Sequence, residues 1–400
     1  MYHHSDASES LSSNFVRTLQ TDSKGTLWIG TYNGLSILNG DEFINIKSDP
    51  FIHGSLSQSS VRCICRDNQG GMWLGTWFGG LNYWHPSRNR FEHIQMQYGG
   101  NSLNDNVVSC MEEDEEGTLW IGTNSGGVNH YDPHHNKFTY YKLQSNAETL
   151  NLESNDIKAI YIDEESGRIF IGAHAGGLSI IDRKNKTLRH SKTSGHLDIY
   201  AIEPDGKERL ILGTLDGLKC FNISSGTISP LDEDKEGYPI RKLKVRDLLK
   251  DSQGRLWIGG ENGLATYRNM DGQVERCTIL HEDSPLVSVF VQSLYESTTK
   301  LIWIATRTGL WCYNDKEKTV SHYTSADGLA SDIIHGIEED SFGRLWLSTD
   351  NGLSCFNPFS GTFRNFSTSD GLQSNQFNPG SHCRRCSLLL EPLIPALMIH

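Results

Sequence analysis

Cationic charge, proline and long apolar runs are all scarce in this sequence. Against 49 Asp and Glu stand only 36 Lys and Arg, so the 400-residue chain carries a formal charge of −13. A chain this acidic lacks the broad basic face that a nucleic-acid or anionic-membrane binder needs. The longest apolar-rich run, Ser387 to Ile399, is too short to span a bilayer and contains Glu391 and two prolines. At the N-terminus, Met1-Tyr2-His3-His4-Ser5-Asp6 has no basic-then-apolar leader pattern. Prolines number 11 against 39 glycines, a balance that points to many tight turns rather than to disorder. What is plentiful is core material: 36% hydrophobic residues, including nine tryptophans.

The organising feature is a repeat. A strand of the type Gly25-Thr-Leu-Trp-Ile-Gly-Thr31 recurs eight times, anchored at Trp28, Trp73, Trp120, Phe170, Ile211, Trp257, Trp303 and Trp346, at spacings of 45, 47, 50, 41, 46, 46 and 43. Before most anchors lies an Asp-x-x-Gly turn, as in Asp22–Gly25, Asp114–Gly117 and Asp251–Gly254. A short turn closing on Gly follows, as in Tyr32-Asn33-Gly34. Asp and Gly satisfy the bonding and positive-φ demands of tight hairpins, and β-branched and aromatic residues fill the runs between them. Four short antiparallel strands per copy define the blade of a β-propeller. The expected fold is therefore all-β: a propeller of eight four-stranded repeats over residues 11–379, as a seven-bladed ring plus one extra blade or as one eight-bladed ring. A polar tail, residues 1–10, precedes it, and an anomalous tail, residues 380–400, follows.

These residues closely resemble the two-component regulator propeller repeat. The resemblance rests on Leu11-Ser-Ser-Asn-Phe-Val16, Asp22-Ser-Lys-Gly-Thr-Leu-Trp-Ile-Gly-Thr31 and Gly34-Leu35, with later copies such as Leu103-Asn-Asp-Asn-Val107 and Leu152-Glu-Ser-Asn-Asp-Ile157. It runs from about Leu11 to Asn378. It implies the periplasmic sensor region of a membrane-bound hybrid histidine kinase, of a kind that binds oligosaccharides released from a glycan. Family members usually carry two seven-bladed propellers and a small β-sandwich. This chain departs from that plan in having eight repeats and no kinase segment, phospho-accepting His box or nucleotide-binding glycine box. Asp370 to Asn378 reads as the opening of a ninth repeat, but the pattern stops at about Ser381. The expectation is a truncated sensor whose tail lies out of its native reading frame, periplasmic by resemblance and cytoplasmic if made as it stands. Kinase activity would belong to a missing part, and unpaired sheet edges would favour aggregation or a homodimer.

Features that resemble chemistry mostly have a plainer role. Of nine cysteines, Cys63 and Cys110 fall ten residues before their anchors, and Cys220, Cys312 and Cys355 three residues after a turn glycine. Other repeats place small or apolar residues there, so these thiols are expected as core filler. Cys383-x-x-Cys386 has no second pair to complete a zinc site. His134-His135 sits in a turn and no His pair has metal-site spacing, so no metal, cofactor or catalytic residue is assigned. The Asp-x-x-Gly carboxylates are expected to cap their turns.

A sharper signal lies where the framework repeats and one position varies. Eleven residues before the anchor, the copies read Arg17, Arg62, Ser109, Lys158, Tyr200, Arg246, Gln292 and His335, aligning Lys158 through a turn longer by one residue. All can hydrogen-bond, and four are Arg or Lys. The turn after the anchor strand adds Tyr32, Trp77, Phe78, His174, Glu261 and Arg307 on the same expected face. Aromatics beside planar bidentate donors suit sugar rings and their carboxylate or sulfate groups. The expected ligand set is Arg17, Arg62, Lys158, Tyr200, Arg246, Gln292, His335, Trp77, Phe78, His174 and Arg307, for an oligosaccharide of acidic character. A propeller lyase or glycosidase would instead draw on Glu261, His174, Tyr200 and His335. A protein-interaction scaffold would use Trp77, Phe78 and Trp84.

Overall fold

An Asp-x-x-Gly turn folds the first strand of each regular repeat back onto the strand carrying the aromatic anchor, and everything else in the repeat is built out from that hairpin. The computed structural model describes residues 2–4, 10–39, 42–48, 55–68, 70–84, 94–97, 99–143, 151–191, 197–231, 243–270, 273–276, 284, 286 and 288–380. Repeat 1 comprises strands Val16–Thr21, Leu27–Thr31, Gly34–Asn39 and Glu42–Ile46, hydrogen-bonded in chain order. Seven of the eight sheets have four strands ordered this way. The sheet of repeat 2 has three, Val61–Arg66, Met72–Thr76 and Leu81–Trp84, followed by residues outside the described set. Every described pairing between these strands is antiparallel, as the turn pattern requires. The chain divides into two compact units: Met1–Arg90 holds repeats 1 and 2, and Phe91–His400 holds repeats 3 to 8. The Cys383–Cys386 pair lies outside the described residues.

The Asp carboxylate does more than cap its turn. In repeat 1, Asp22 Oδ1 accepts from the backbone N–H groups of Lys24 and Thr26, both at 2.9 Å, while the Trp28 indole donates to Oδ2 at 3.4 Å. The same indole bond recurs as Trp73 to Asp67 (3.0 Å), Trp120 to Asp114 (3.2 Å), Trp257 to Asp251 (2.8 Å) and Trp346 to Asp340 (2.9 Å). A buried indole N–H needs a partner, and one carboxylate thus satisfies both the turn and the anchor. Repeat 7 replaces Asp with Ser297 and Gly with Lys300. There the Trp303 indole nitrogen is buried without a partner, and Lys300 is held at φ 66°.

Sheets stack through a fixed contact. Six of the eight anchor strands carry a glycine at this contact, and in repeat 3 it has no room for a side chain: a Cβ on Gly122 would sit 2.5 Å from Cys110 Sγ and 2.7 Å from Ile157 Cγ2. Ile157 heads the first strand of the next repeat, and Gly213 meets Val245 and Gly259 meets Val291 in the same way. These head residues are fully buried. Farther out, the last residue of a first strand reaches back to the preceding turn. Glu296 accepts from Ser252 N and Oγ at 2.9 and 2.6 Å, and Glu339 from Thr298 N and Oγ1 at 2.7 and 2.8 Å. The opening of a ninth repeat docks by the same rule. Gly352 donates to the Asn375 carbonyl as Gly309 does to that of Asp332, and Phe377 is buried beside Trp346.

Two core assignments need correction. Cys63 and the anchor Trp73 are exposed rather than buried, and Cys65 is exposed beside them. Repeat 2 is the last sheet of its unit, and a Cβ on Gly75 would meet only Cys63 Sγ, so no next head residue covers this face within that unit. Cys312 and Cys355 are buried, whereas Cys110 and Cys220 are half-buried. Desolvation pushes the Cys110 and Cys312 thiols up to about 12, which suits packing and not nucleophilic chemistry. Trp84 is half-buried, its ring tilted against Trp28 at 4.8 Å, and packs on the core rather than standing as a free surface anchor.

Two outcomes follow from this packing. Replacing Gly122 by Ala overpacks the junction between repeats 3 and 4 and is expected to cost about 1–3 kcal/mol, read as a lowered denaturant midpoint. Acid stability tests the turn carboxylates. Burial alone would raise Asp22 and Asp114, but their hydrogen bonds to the turn and the anchor indole, with Arg183 beside Asp114, outweigh it and hold both below the ordinary value. Their folded values lie below their unfolded ones, so the stability they add is complete above about pH 4. It is lost as pH falls below that through the lowered folded values. An unchanged guanidinium midpoint between pH 7 and pH 3 would contradict this.

Candidate functional site

In all eight repeats the first strand carries one residue more than its partner can pair. The register skips between Val16 and Thr18, Val61 and Cys63, Val108 and Cys110, and Ile157 and Ala159. It skips again between Ile199 and Ala201, Val245 and Asp247, Val291 and Ser293, and Ile334 and Gly336. The residue left over is in each case the variable polar one: Arg17, Arg62, Ser109, Lys158, Tyr200, Arg246, Gln292 and His335. A β-bulge of this kind bends the strand and re-aims one side chain, and here it does so at the same place in every sheet. The turn after the anchor strand lies alongside, since Arg307 N donates to the Phe290 carbonyl and His174 N to that of Asp156.

In the second unit these positions converge. A cavity of about 320 Å³ is walled by Ser109, Lys158, Tyr200, Arg246 and Gln292 from five consecutive bulges. Arg307, Asn124 and Phe290 join them, and Asn378, Pro379 and Gly380 close one side. The Arg246 guanidinium lies over the Tyr200 ring, 4.4 Å from its centroid, and Arg307 lies over Phe290 at 3.9 Å. These rings orient the two guanidinium groups from behind; they are therefore not open platforms for a sugar, as the sequence alone suggests. Two of the three cations carry counter-charges from the protein. Lys158 Nζ sits 2.6 Å from Asp156 and 2.9 Å from Asn124 Oδ1. Arg246 Nη2 sits 2.5 Å from Glu261, which Lys244 also approaches at 3.1 Å. The Arg246 hydrogen bond, with that of Lys244, holds the Glu261 carboxyl below its ordinary range despite the opposing effect of burial.

Of the expected members in the second unit, two do not line this cavity. His335 is buried with Nε2 on Asp350 Oδ1 at 2.6 Å, so its repeat spends the polar position on an internal pair. His174 is half-exposed and sits 2.9 Å from Asp198. Glu261, His174, Tyr200 and His335 are accordingly not assembled into an acid–base group: Tyr200 alone of the four lines the wall. In the first unit, Arg17 donates to Ser60 Oγ at 2.8 Å and lies over Tyr32 and Trp77 at 5.1 and 5.6 Å. Arg62 lies over Trp77 at 3.9 Å, and Phe78 is 84% exposed beside it. Phe290 and the counter-ions Asp156 and Glu261 are contributions the ring of variable positions does not reveal. Phe290 and Asp156 each immediately precede a first strand, two residues before the bulge, a repeated offset at which they could have been sought. Among the described residues there is no cluster of three His, Cys, Asp or Glu suited to a metal, and no helix long and apolar enough to cross a membrane.

The comparisons with known proteins agree with this architecture. Five of the eight repeats match the model of the two component regulator propeller family, at residues 10–33, 55–78, 102–125, 240–262 and 328–351. Among solved structures it is similar to the extracellular domain of the putative hybrid two component system BT3049 from B. thetaiotaomicron, at 27% identity and a TM-score of 0.76, over 94% of this chain and 50% of that one. The extracellular domain of the putative one component system BT4673 from the same organism shares the fold at 19% identity and a TM-score of 0.56, over 94% of this chain and 52% of that one. PorZ, a surface component of the type-IX secretion system of Porphyromonas gingivalis, shares it at 16% identity and a TM-score of 0.54, over 86% of this chain and 57% of that one. This chain therefore spans about half the length of the structures it matches. No curated protein matches it. The class so defined is an all-β propeller whose repeats match the two component regulator propeller family.

Proposed function

We propose that the chain is the ligand-sensing part of a two-component system, working outside the cytoplasm. In this reading an oligosaccharide of acidic character binds in the cavity of the second unit. Its arrival is passed as a conformational change to a kinase that is not in this chain. The observation that carries the reading is the bulge repeated in every first strand. Five of those bulges line one cavity of about 320 Å³, a volume within the range of small-ligand sites. The bulge itself follows from how the sheets pack; what points to a ligand is that the residue it displaces can hydrogen-bond in all eight repeats and that five of these residues face one cavity. The extracellular domain it resembles supports the location, and the matched family supports the sensing role.

A binding screen with a blocked cavity tests this. Acidic and neutral oligosaccharides from plant and host glycans are each mixed with the purified chain and its melting temperature is followed. A ligand at 100 times its Kd adds about 2.7 kcal/mol to the folded state, enough to raise the midpoint visibly. The expected result is a rise with an acidic oligosaccharide that disappears in Gln292→Trp, whose side chain fills the cavity. An equal rise in that variant would place binding elsewhere, and release of reducing ends or unsaturated sugars would indicate an enzyme instead.

A further inference from the structure

The cavity is not uniformly basic, and its charge arrangement specifies more than a preference for acids. Lys158 is matched by Asp156, and Arg246 by Glu261, each at salt-bridge distance. Arg307 differs: it has no carboxylate partner among the described residues, is exposed, and is held only by the Phe290 ring behind it. A guanidinium stacked on a ring keeps its N–H edge free, and that edge fits two oxygens of one carboxylate or sulfate. The Tyr200 hydroxyl and the Gln292 amide likewise make no hydrogen bond to another described group, although both line the cavity. The hydroxyl can donate or accept, and the amide can do both at once, a combination suited to sugar hydroxyls.

Resting on the reading of the cavity as a sugar site, we infer that Arg307 is its single anion anchor, and that Tyr200 and Gln292 read the hydroxyls of the same sugar. The ligand then carries one carboxylate or sulfate at the Arg307 side of the cavity, with neutral sugar beyond it. Lys158 and Arg246 act as fixed structure: their charge is spent on Asp156 and Glu261, and a densely charged ligand would meet those carboxylates as well. The proposal differs from a general basic ring in what each variant does. Loss of Arg307 removes the preference for acid; loss of Tyr200 or Gln292 weakens acidic and neutral sugars alike.

Calorimetry on the full chain decides it, with an α-1,4-linked disaccharide of one galacturonate and one galactose, its carboxyl-reduced counterpart α-1,4-galactobiose, and a monosulfated galactobiose as probes. The expected result is that one anionic probe binds more tightly than galactobiose. In Arg307→Ala that probe weakens roughly 10- to 100-fold, the loss of a charge-assisted bond, to the level of the neutral sugar. Arg307→Lys should restore part of the preference, and Lys158→Ala should leave it in place. Whichever anionic probe shows the larger loss identifies the group that Arg307 holds. Galactobiose binding as tightly as both anionic probes, with Arg307→Ala without effect, overturns the anchor and leaves the sugar site standing. Absence of binding by all three probes to the wild-type chain, in a chain that other sugars stabilise, overturns the anchor as well. If no sugar of any kind stabilises the chain, the sugar site falls with it. Thermal unfolding of each variant shows that its fold is retained.

Discussion

The structure depends on the contact between an anchor-strand glycine and the β-branched residue that heads the next first strand. A Cβ on Gly213 would stand 2.6 Å from Val245 Cγ1 and 3.3 Å from Ala201 Cβ, so the glycine is filled from both sides. One neighbour belongs to the next sheet and sets the stacking. The other belongs to its own sheet, two residues along from that sheet's head. A residue fixed by the preceding sheet and another fixed by its own sheet leave the one between them out of register. Stacking and display are thus one device: what packs the sheets together also pushes Lys158, Tyr200, Arg246 and Gln292 out of the ladder. Repeats 7 and 8 depart from the rule: Ala305 stands in the glycine's place opposite Ser293, and Ser348 opposite Gly336.

The other recurring economy is the turn carboxylate. It holds a hairpin and an indole together, and where Asp251 also takes Arg255 at 2.6 Å, that arginine bridges on to Asp315 of the next repeat at 3.0 Å. Repeat 7 lacks the carboxylate and keeps its fold with an unsatisfied Trp303 indole. One missing bond of this kind is tolerable because the sheets on either side remain clamped by Glu296 and Glu339.

Much of this was legible in the sequence. Anchors, turns and strand order follow from spacing, and the position of the bulge was visible as one that varies between repeats yet can hydrogen-bond in every copy. The bulge itself was not, because it arises from packing between sheets rather than from any property of the bulged residue. The partners of the polar positions were equally hidden. Glu261 and Asp156 look like ordinary turn residues until the fold brings them against Arg246 and Lys158. His335 occupies the ligand position by register, yet burial beside Asp350 removes it from the cavity wall. Cys63 and Trp73 fit the core pattern by spacing, and are exposed where their own unit supplies no next head residue to cover them.

The central claim is that packing between sheets creates the site, with Tyr200, Gln292 and Arg307 as its working surface. A crystal structure of the chain grown with an acidic disaccharide examines this most directly. The account expects the sugar in the cavity bounded by the bulges of repeats 3 to 7, with its anionic group on Arg307 and hydroxyls on Tyr200 and Gln292. A sugar bound away from every bulge, with the cavity holding only water, would contradict it.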